Sequence, residues 1–206
     1  MKTIRIGFLF LLLIFLTLNA HADAPDTSQK IDIGIQGLGG ISSKNEIQDA
    51  YGLEGSINYG LTKGIAVGFS GGGVFSRLEL DKGDGTKVHG STLTTTPLFG
   101  QVFLRSSAGS FSPYLVFGIG GLLNHADAKG EVTQNNIAVK ASNGIAGKIG
   151  VGADYFASKN WFYNIELSYI FSEANIETTN IASGAVLDKK TEDFLLLSAG
   201  VNYLFD

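Results

Sequence analysis

The sequence contains no cysteine, only three prolines and no excess of basic residues. Without cysteine, the chain has neither a disulfide framework nor a thiolate metal site. Its 15 Lys and Arg are outnumbered by 19 Asp and Glu, so we expect no nucleic-acid partner, which would require a clustered basic face. The sequence also lacks an apolar run of about 20 residues, the length at which a helix crosses a bilayer.

The longest apolar run lies near the N-terminus, from about Gly7 to Leu18. Lys2 and Arg5 precede it, and the small residues of Ala20-His21-Ala22 follow it. This order of basic, apolar and small residues is typical of a secretory signal peptide. We therefore predict that residues 1–22 are removed and that residues 23–206 form one domain, with 13 basic and 19 acidic residues.

Glycine is abundant, with 28 residues, and many segments alternate between apolar and small or polar residues. The segment "YGLEGSINYGL", residues 51–61, has its apolar residues at odd positions. Because strand side chains alternate between two faces, this pattern predicts a strand between an apolar and a polar environment. The same pattern predicts eight strands, at about residues 31–40, 51–61, 65–75, 93–105, 113–123, 144–155, 160–171 and 194–205.

The charges of these strands lie on one face. In seven of the strands the apolar face carries no charged residue, whereas the opposite face is rich in glycine and carries Asp32, Glu54, Lys148, Asp154 and Glu166. A soluble β-sandwich also alternates, but its polar face usually has many more charges. A small closed barrel has a crowded interior and a charge-free outer face with aromatic residues near both ends. We predict an all-β fold, a transmembrane eight-stranded antiparallel up-and-down β-barrel.

The fourth strand, "LTTTPLFGQVFLR", permits two orientations. In one, Leu98, Val102 and Leu104 face outward, and Gln101 faces inward with Phe99. The other would place the Gln101 amide in lipid, where it has no hydrogen-bond partner. We predict the first orientation.

The predicted connections alternate in length. Residues 62–64, 106–110 and 157–160 are short connections, whereas the long ones are residues 41–50, 77–92, 125–138 and 172–192. Outer-membrane barrels have short periplasmic turns and longer external loops, so both termini are expected in the periplasm. Because lipid offers no partners to a free sheet edge, the last strand should pair with the first.

From about Val88 to Phe205 the sequence resembles the OmpW family of eight-stranded outer-membrane proteins. The resemblance lies in "FSPYLVFGIGGLL", "IAVKASNGIAGKIGVGADYF", "KNWFYNIELSYIF" and "LSAGVNYLF". It implies a narrow passive channel for small hydrophobic molecules, with no cofactor, in contact with outer-membrane lipid and lipopolysaccharide.

The terminal stretch resembles the signal by which the outer-membrane assembly machinery recognises a last strand. Ser198, Gly200, Tyr203 and Phe205 occupy its polar, glycine and hydrophobic positions. Asp206 departs from the pattern, since many such proteins end on the aromatic residue.

The inward charges allow two interpretations: a packed polar plug, or a polar constriction beneath an apolar vestibule. We expect Lys148 to pair with Glu166 and Asp32 with Glu54, and Asp154 to lie toward the periplasmic mouth. The vestibule would be lined by inward apolar residues in the outer half of their strands: Leu38, Val74, Val116, Leu122, Phe194 and Leu196. An eight-stranded barrel has little more internal room than its side chains fill, so any passage should be slow and selective.

Few residues suggest catalysis or metal binding. His89 and Ser91 are close in sequence but have no evident third member of a triad, and His125 lies in another predicted loop. Gly147-Lys148 lacks the Ser or Thr that should follow in a phosphate-binding loop. We therefore expect no enzyme and no metal site. Two alternatives remain: a non-conducting structural barrel that contacts lipopolysaccharide or host surfaces, and a barrel enzyme acting on lipid A.

Overall fold

The computed structural model describes residues 26–42, 47–81, 87–106, 110–128, 137–181, 186–191 and 193–206. Eleven β-strands make up its regular structure: β1 (Ile31–Ser42), β2 (Ile47–Gly60), β3 (Ile65–Asp81), β4 (Lys87–Arg105), β5 (Phe111–Ala128), β6 (Ile137–Ala141), β7 (Gly144–Phe156), β8 (Trp161–Ser172), β9 (Asn175–Asn180), β10 (Val186–Thr191) and β11 (Phe194–Phe205). The predicted signal peptide, residues 1–22, lies outside the described residues.

Eight of the strands form a closed antiparallel barrel in the order β1-β11-β8-β7-β5-β4-β3-β2. β1 pairs with β2 on one side and with β11 on the other, where Ile31 lies opposite Phe205 and Ser42 opposite Phe194. The barrel therefore has no free edge, so the backbone groups of every barrel strand have partners on both sides. The predicted fold is confirmed, including the pairing of the last strand with the first.

No helix among the described residues is long and apolar enough to cross a membrane.

Residues that alternate between apolar and polar types in the sequence also alternate between the outer face and the interior of the barrel. Along β8, Trp161, Tyr163 and Ile165 are exposed on the outer face, whereas Phe162 and Glu166 are buried inside. The prediction for the fourth strand, here β4, is also confirmed: Gln101 is buried and Val102 is exposed.

The two ends of the barrel differ in their connections. At one end, called the turn end below, β2 joins β3 through residues 61–64 and β7 joins β8 through residues 157–160. Each of these turns is fixed by a hydroxyl: Thr62 Oγ1 accepts hydrogen bonds from the backbone of Gly64 and Ile65, and Ser158 Oγ accepts one from Trp161 N. Such local side-chain bonds favour tight turns. The opposite end is called the loop end.

At the loop end the structure differs from the prediction, because segments predicted as loops are strands. β3 continues to Asp81 and β4 begins at Lys87, so most of residues 77–92 is a paired extension of this hairpin. β6, β9 and β10 form a separate three-stranded sheet. β9 and β10 lie within a predicted loop, whereas β6 begins at the end of one and continues through residues 139–141, which belonged to no predicted strand. Val139 and Ala141 of β6 and Ile176 of β9 are partly buried and pack against the buried apolar side chains of the barrel interior. These strands are only five or six residues long, too short for a period of two to identify them in the sequence.

Candidate functional site

Lys148 lies between two carboxylates in the barrel interior. Its Nζ is 2.8 Å from Glu166 Oε1 and 3.8 Å from Glu54 Oε1, and all three side chains are buried. Glu54 Oε1 also accepts a hydrogen bond of 2.6 Å from Gln36, and Glu166 Oε2 accepts one of 3.1 Å from Tyr114 Oη. Charges buried in a dry interior need this number of partners, because an unpaired one would be strongly destabilising.

A second cation, Arg105, lies nearer the turn end. Its Nη2 is 3.6 Å from Asp32 Oδ2, and its Nε is 3.4 Å from Asp154 Oδ2. Asn58 Nδ2 donates a hydrogen bond of 2.6 Å to Asp32 Oδ1. Arg105 also lies beside the Phe103 ring, with Cζ 5.3 Å from the ring centroid, a distance suited to a cation–π interaction.

The expected pairing of Asp32 with Glu54 is wrong. The register of β1 and β2 places Asp32 opposite Asn58 and Glu54 opposite Gln36. Two ionised carboxylates repel each other and would not form a direct contact. Each of them instead faces an amide donor and a cation. The sequence could not supply this register, because a shift of two residues keeps the same face inward.

Arg105 was missed as a functional residue. The inward series Phe99, Gln101 and Phe103 continues to Arg105, so the alternation of β4 already indicated its direction. The amides of Gln36, Asn164 and Asn202 were missed as well. Asn164 Nδ2 donates to Gln36 Oε1 at 2.8 Å, and Asn202 Nδ2 donates to Asn164 Oδ1 at 3.1 Å. We call the six charged residues Asp32, Glu54, Arg105, Lys148, Asp154 and Glu166 the ionic section.

The ionic section closes the barrel. Among the described residues it holds four carboxylates and two cations, an excess of two negative charges at full ionisation. The cavity between its side chains has a volume of about 20 Å³, which is room for about one water molecule. At the turn end, Phe156, Phe162 and Leu204 form a further buried cluster.

Toward the loop end the interior is apolar. Five of the six predicted apolar residues, Leu38, Val74, Leu122, Phe194 and Leu196, belong to one cluster of eleven buried side chains. This apolar section also contains Leu93, Phe99 and Ile170, which face inward by the same alternation. Each of the five is at most 8% exposed, so the section is packed and is not an open vestibule.

Val116 does not lie in the outer half, and that expectation is wrong. It packs with Ala66, Phe103 and Tyr114 in a separate buried cluster near the turn end. β5 runs from Phe111 to Ala128, so Val116 is the sixth of its 18 residues counted from the turn end. Val116 is also only the fourth of the eleven residues of the predicted strand, 113–123, so the predicted bounds themselves placed it nearer the turn end.

The outer membrane protein beta-barrel domain is the family whose model matches this chain, over residues 8–205. The chain belongs to this family. It is an outer-membrane β-barrel protein, and the residues exposed on its outer face are accordingly those in contact with lipid. No curated protein sequence matches the chain at a significant level.

Solved structures share the fold of this outer-membrane barrel. The outer membrane protein OprG from Pseudomonas aeruginosa is 13% identical, with a TM-score of 0.71, over 89% of this chain and 99% of that one. The outer membrane protein AlkL in lipid bilayers is 20% identical, with a TM-score of 0.59, over 91% of this chain and 96% of that one. At these identities the similarity is one of fold.

The wall of the barrel carries a groove near the loop end, with a volume of about 320 Å³. Ile119, Ile145 and Phe171 line it on the lipid side, and Ala146, which belongs to the apolar section, lines it too. A Cβ on Gly147 would come within 2.2 Å of the Phe171 ring. The ring thus lies over the backbone of Gly147, a position that it could not occupy if residue 147 carried a side chain.

The four residues of the predicted assembly signal all lie in β11. Ser198 is buried in the interior, and a Cβ on Gly200 would meet Gln36 and Asn164 there. Tyr203 and Phe205 lie on the outer face, and Tyr203 contacts Trp161 edge-on with ring centroids 4.9 Å apart. Asp206 forms an ion pair with Lys30 at the start of the barrel.

The residues considered for catalysis lie in strands. His89 and Ser91 are part of β4, although their side chains are outside the described residues, and His125 is an exposed residue of β5. The prediction that His125 lies in a loop is therefore wrong. Gly147 and Lys148 lie within β7, as expected. Within the described ranges, no group of three or more His, Cys, Asp or Glu could hold a metal ion.

Proposed function

We propose that this outer-membrane barrel is a narrow passive channel of the OmpW type for small hydrophobic molecules. The observation that carries the proposal is the contrast within the interior: eleven buried apolar side chains toward the loop end, above a section closed by ion pairs. An apolar solute entering at the loop end, which would face the exterior, meets side chains of matching polarity. The termini would then lie in the periplasm.

The ionic section makes a straight path through the barrel unfavourable for such a solute. Passage would separate Lys148 from Glu54 and Glu166, and buried charges without partners cost several kcal/mol each. The groove in the wall offers an alternative, because Ala146 borders both the apolar section and the groove. In the proposed route the solute leaves sideways into the lipid, which costs no contact of the ionic section.

A second candidate, a non-conducting barrel whose external residues contact lipopolysaccharide or host surfaces, is favoured by one observation. The ionic section leaves a cavity of only about 20 Å³, so the structure suits a permanent plug as well as a constriction. The two functions differ in whether the protein moves a solute.

The deciding measurement is the rate at which whole cells take up octane, compared with the polar solute glycerol. Producing the protein in cells that lack it should raise octane uptake and leave glycerol uptake unchanged. Equal octane uptake by cells with and without the folded barrel would refute the channel. Discrete ion conductance in a planar bilayer would instead indicate a path through the ionic section.

The wall groove can be tested with a matched pair of substitutions. Gly147→Leu puts a side chain into the groove or displaces the Phe171 ring from it, and should lower octane uptake. Gly37→Leu is the control, since Gly37 is exposed on β1 and its Cβ would meet nothing closer than 3.9 Å. Both variants should be present in the membrane in equal amounts. If Gly37→Leu lowers uptake equally, the groove is not the exit.

We also propose that the protein has no catalytic activity, and that the assembly machinery recognises Ser198, Gly200, Tyr203 and Phe205. A barrel enzyme acting on lipid A would change the lipid-A mass profile when overproduced, and we expect that profile to stay the same.

A further inference from the structure

The five residues before the first strand, Asp26 to Lys30, cross the turn end of the barrel, and we call them the strap. Their position is given by Gly60, the last residue of β2. Glu54 and Asn58 face the interior from the same strand, so the side of Gly60 where a Cβ would point also faces the interior. A Cβ there would lie 2.0 Å from Thr27 O and 2.9 Å from Thr27 C. The strap therefore passes across the inner side of the barrel mouth, and Gly60 makes room for it.

Two backbone hydrogen bonds hold the strap on Gly60. Gln29 N donates to Gly60 O at 2.7 Å, and Gly60 N donates to Lys30 O at 3.0 Å. Gln29 reaches this position with a φ of 60°, in the left-handed region that residues other than glycine rarely adopt. Such a conformation persists only where surrounding contacts favour it.

Ion pairs hold both ends of the strap. Asp26 Oδ2 lies 3.5 Å from Lys63 Nζ, on the turn between β2 and β3, and Lys30 pairs with Asp206 after the last strand. Neither pair belongs to the sheet, and exposed ion pairs are individually weak. The strap can therefore leave the mouth without breaking any pairing between barrel strands.

Beneath the strap lies the ionic section. Thr27 is 7% exposed, and Ala66, the register partner of Gly60, is 1% exposed although it is only the second residue of β3. Asp32, Arg105 and Asp154 lie at this end of the interior. With its excess of two carboxylates, the ionic section would attract cations and water once they could reach it.

We propose that the strap is a lid on the turn-end mouth, and that its release admits water and small cations to the ionic section. The barrel strands need not move. The lid does not depend on the proposed passage of apolar molecules, which concerns the opposite end of the barrel.

The absence of cysteine makes the lid directly testable. Ala66→Cys introduces the chain's single thiol beneath the strap. The purified barrel is exposed in detergent micelles, where both mouths are accessible, to a cationic water-soluble thiol reagent and to an anionic one of similar size. With the strap in place the labelling should be slow, and when labelling occurs the cationic reagent should react faster.

The strap is released by Gln29→Pro, which removes the N–H donated to Gly60 and cannot adopt a φ of 60°. Its matched control is Gln29→Gly, which keeps the N–H and accepts this φ. Because Gln29→Pro loses this hydrogen bond and strains the backbone of the strap, labelling of Ala66→Cys should be about tenfold faster or more in this variant. It should be nearly unchanged in the glycine variant.

A second pair of substitutions changes β2, the barrel strand that contacts the strap. Gly60→Val places a side chain against Thr27 and should also increase labelling, whereas Gly55→Val on the same strand points outward, with no atom closer than 3.9 Å. Heat-modified gel migration shows which variants are folded. The lid is wrong if the folded Gln29→Pro and Gly60→Val variants label at the rate of their controls, or if the protein with an intact strap labels as fast as Gln29→Pro.

Discussion

Toward the loop end the barrel interior is filled by leucine, valine and phenylalanine side chains, and toward the turn end by four carboxylates, two cations and their amide partners. Both regions are buried to a similar degree, but they are stabilised differently. Apolar packing is a sum of many weak contacts, so losing one side chain leaves a cavity. An ionic section is stable when each buried charge has a partner of opposite sign, so losing one side chain leaves another buried charge without a partner.

The largest expected effect is that of removing the cation of the ionic section. Lys148→Met leaves Glu54 and Glu166 without their shared partner, and should lower the free energy of unfolding by about 3–5 kcal/mol. Urea titration in lipid vesicles, followed by the fluorescence of the single tryptophan, Trp161, measures this. Adding Glu54→Gln and Glu166→Gln should recover most of the loss. If Lys148→Met lowered the free energy of unfolding by less than Leu122→Ala, described next, the contrast between the two regions would be contradicted.

In the apolar section, Leu122→Ala should lower the free energy of unfolding by about 2–5 kcal/mol, because Leu122 is 1% exposed and its removal leaves a cavity. The next residue, Leu123, is the control: it faces outward and is 48% exposed, so lipid can occupy the space left by Leu123→Ala. The same urea titration compares them. Equal losses for the two alanine variants would show that the inner face is not packed as described.

The next largest effect on folding free energy is expected from a charge placed on the outer face. Ile165 lies opposite Ala153 and Ala199 on neighbouring strands and is exposed toward lipid. Ile165→Arg should lower the folding free energy in lipid by about 2–4 kcal/mol, the cost of a charge near the bilayer centre. Ile165→Leu, which keeps the apolar area, is the control. A folding free energy equal to that of the original protein would place this face away from the lipid.

The smallest expected effect concerns the ion pair between Lys30 and Asp206 at the turn-end mouth, outside both regions. The hydrogen bond and charge of Lys30 hold the pKa of Asp206 below its usual value. The stabilisation from this carboxylate is therefore complete above the pKa of the unfolded chain, and is lost as the pH falls through the lower pKa of the folded protein. The difference in stability between the original protein and Asp206→Asn should be small near pH 7 and vanish at low pH. A difference that is independent of pH would show that the ion pair does not contribute.

Much of the fold could be predicted from the sequence, since the period of two is a local property of each strand. The direction of Gln101 in β4 and the inward direction of Lys148 both followed from it. The extension of β5 and the strands β6, β9 and β10 could not, because these segments are short and only a few of their residues, such as Val139 and Ile176, pack against the barrel interior, too few to show a period of two.

The partners within the ionic section depended on register. Alternation places Asp32, Glu54 and Arg105 inside, but a strand can slide by two residues without turning any side chain outward. The contact of Arg105 with Asp154 joins β4 to β7, which are not neighbours in the barrel. Only the closed sheet brings such residues together across the interior.

The sequence by itself thus determined that the chain forms a barrel, which face meets the lipid, and which residues fill the interior, because side-chain direction repeats every two residues along any strand. The tertiary structure decided which charges pair, where the apolar section ends, and that the strap crosses the turn-end mouth. These features depend on the register and closure of eight strands, which relate residues far apart in the chain and leave no trace in local spacing.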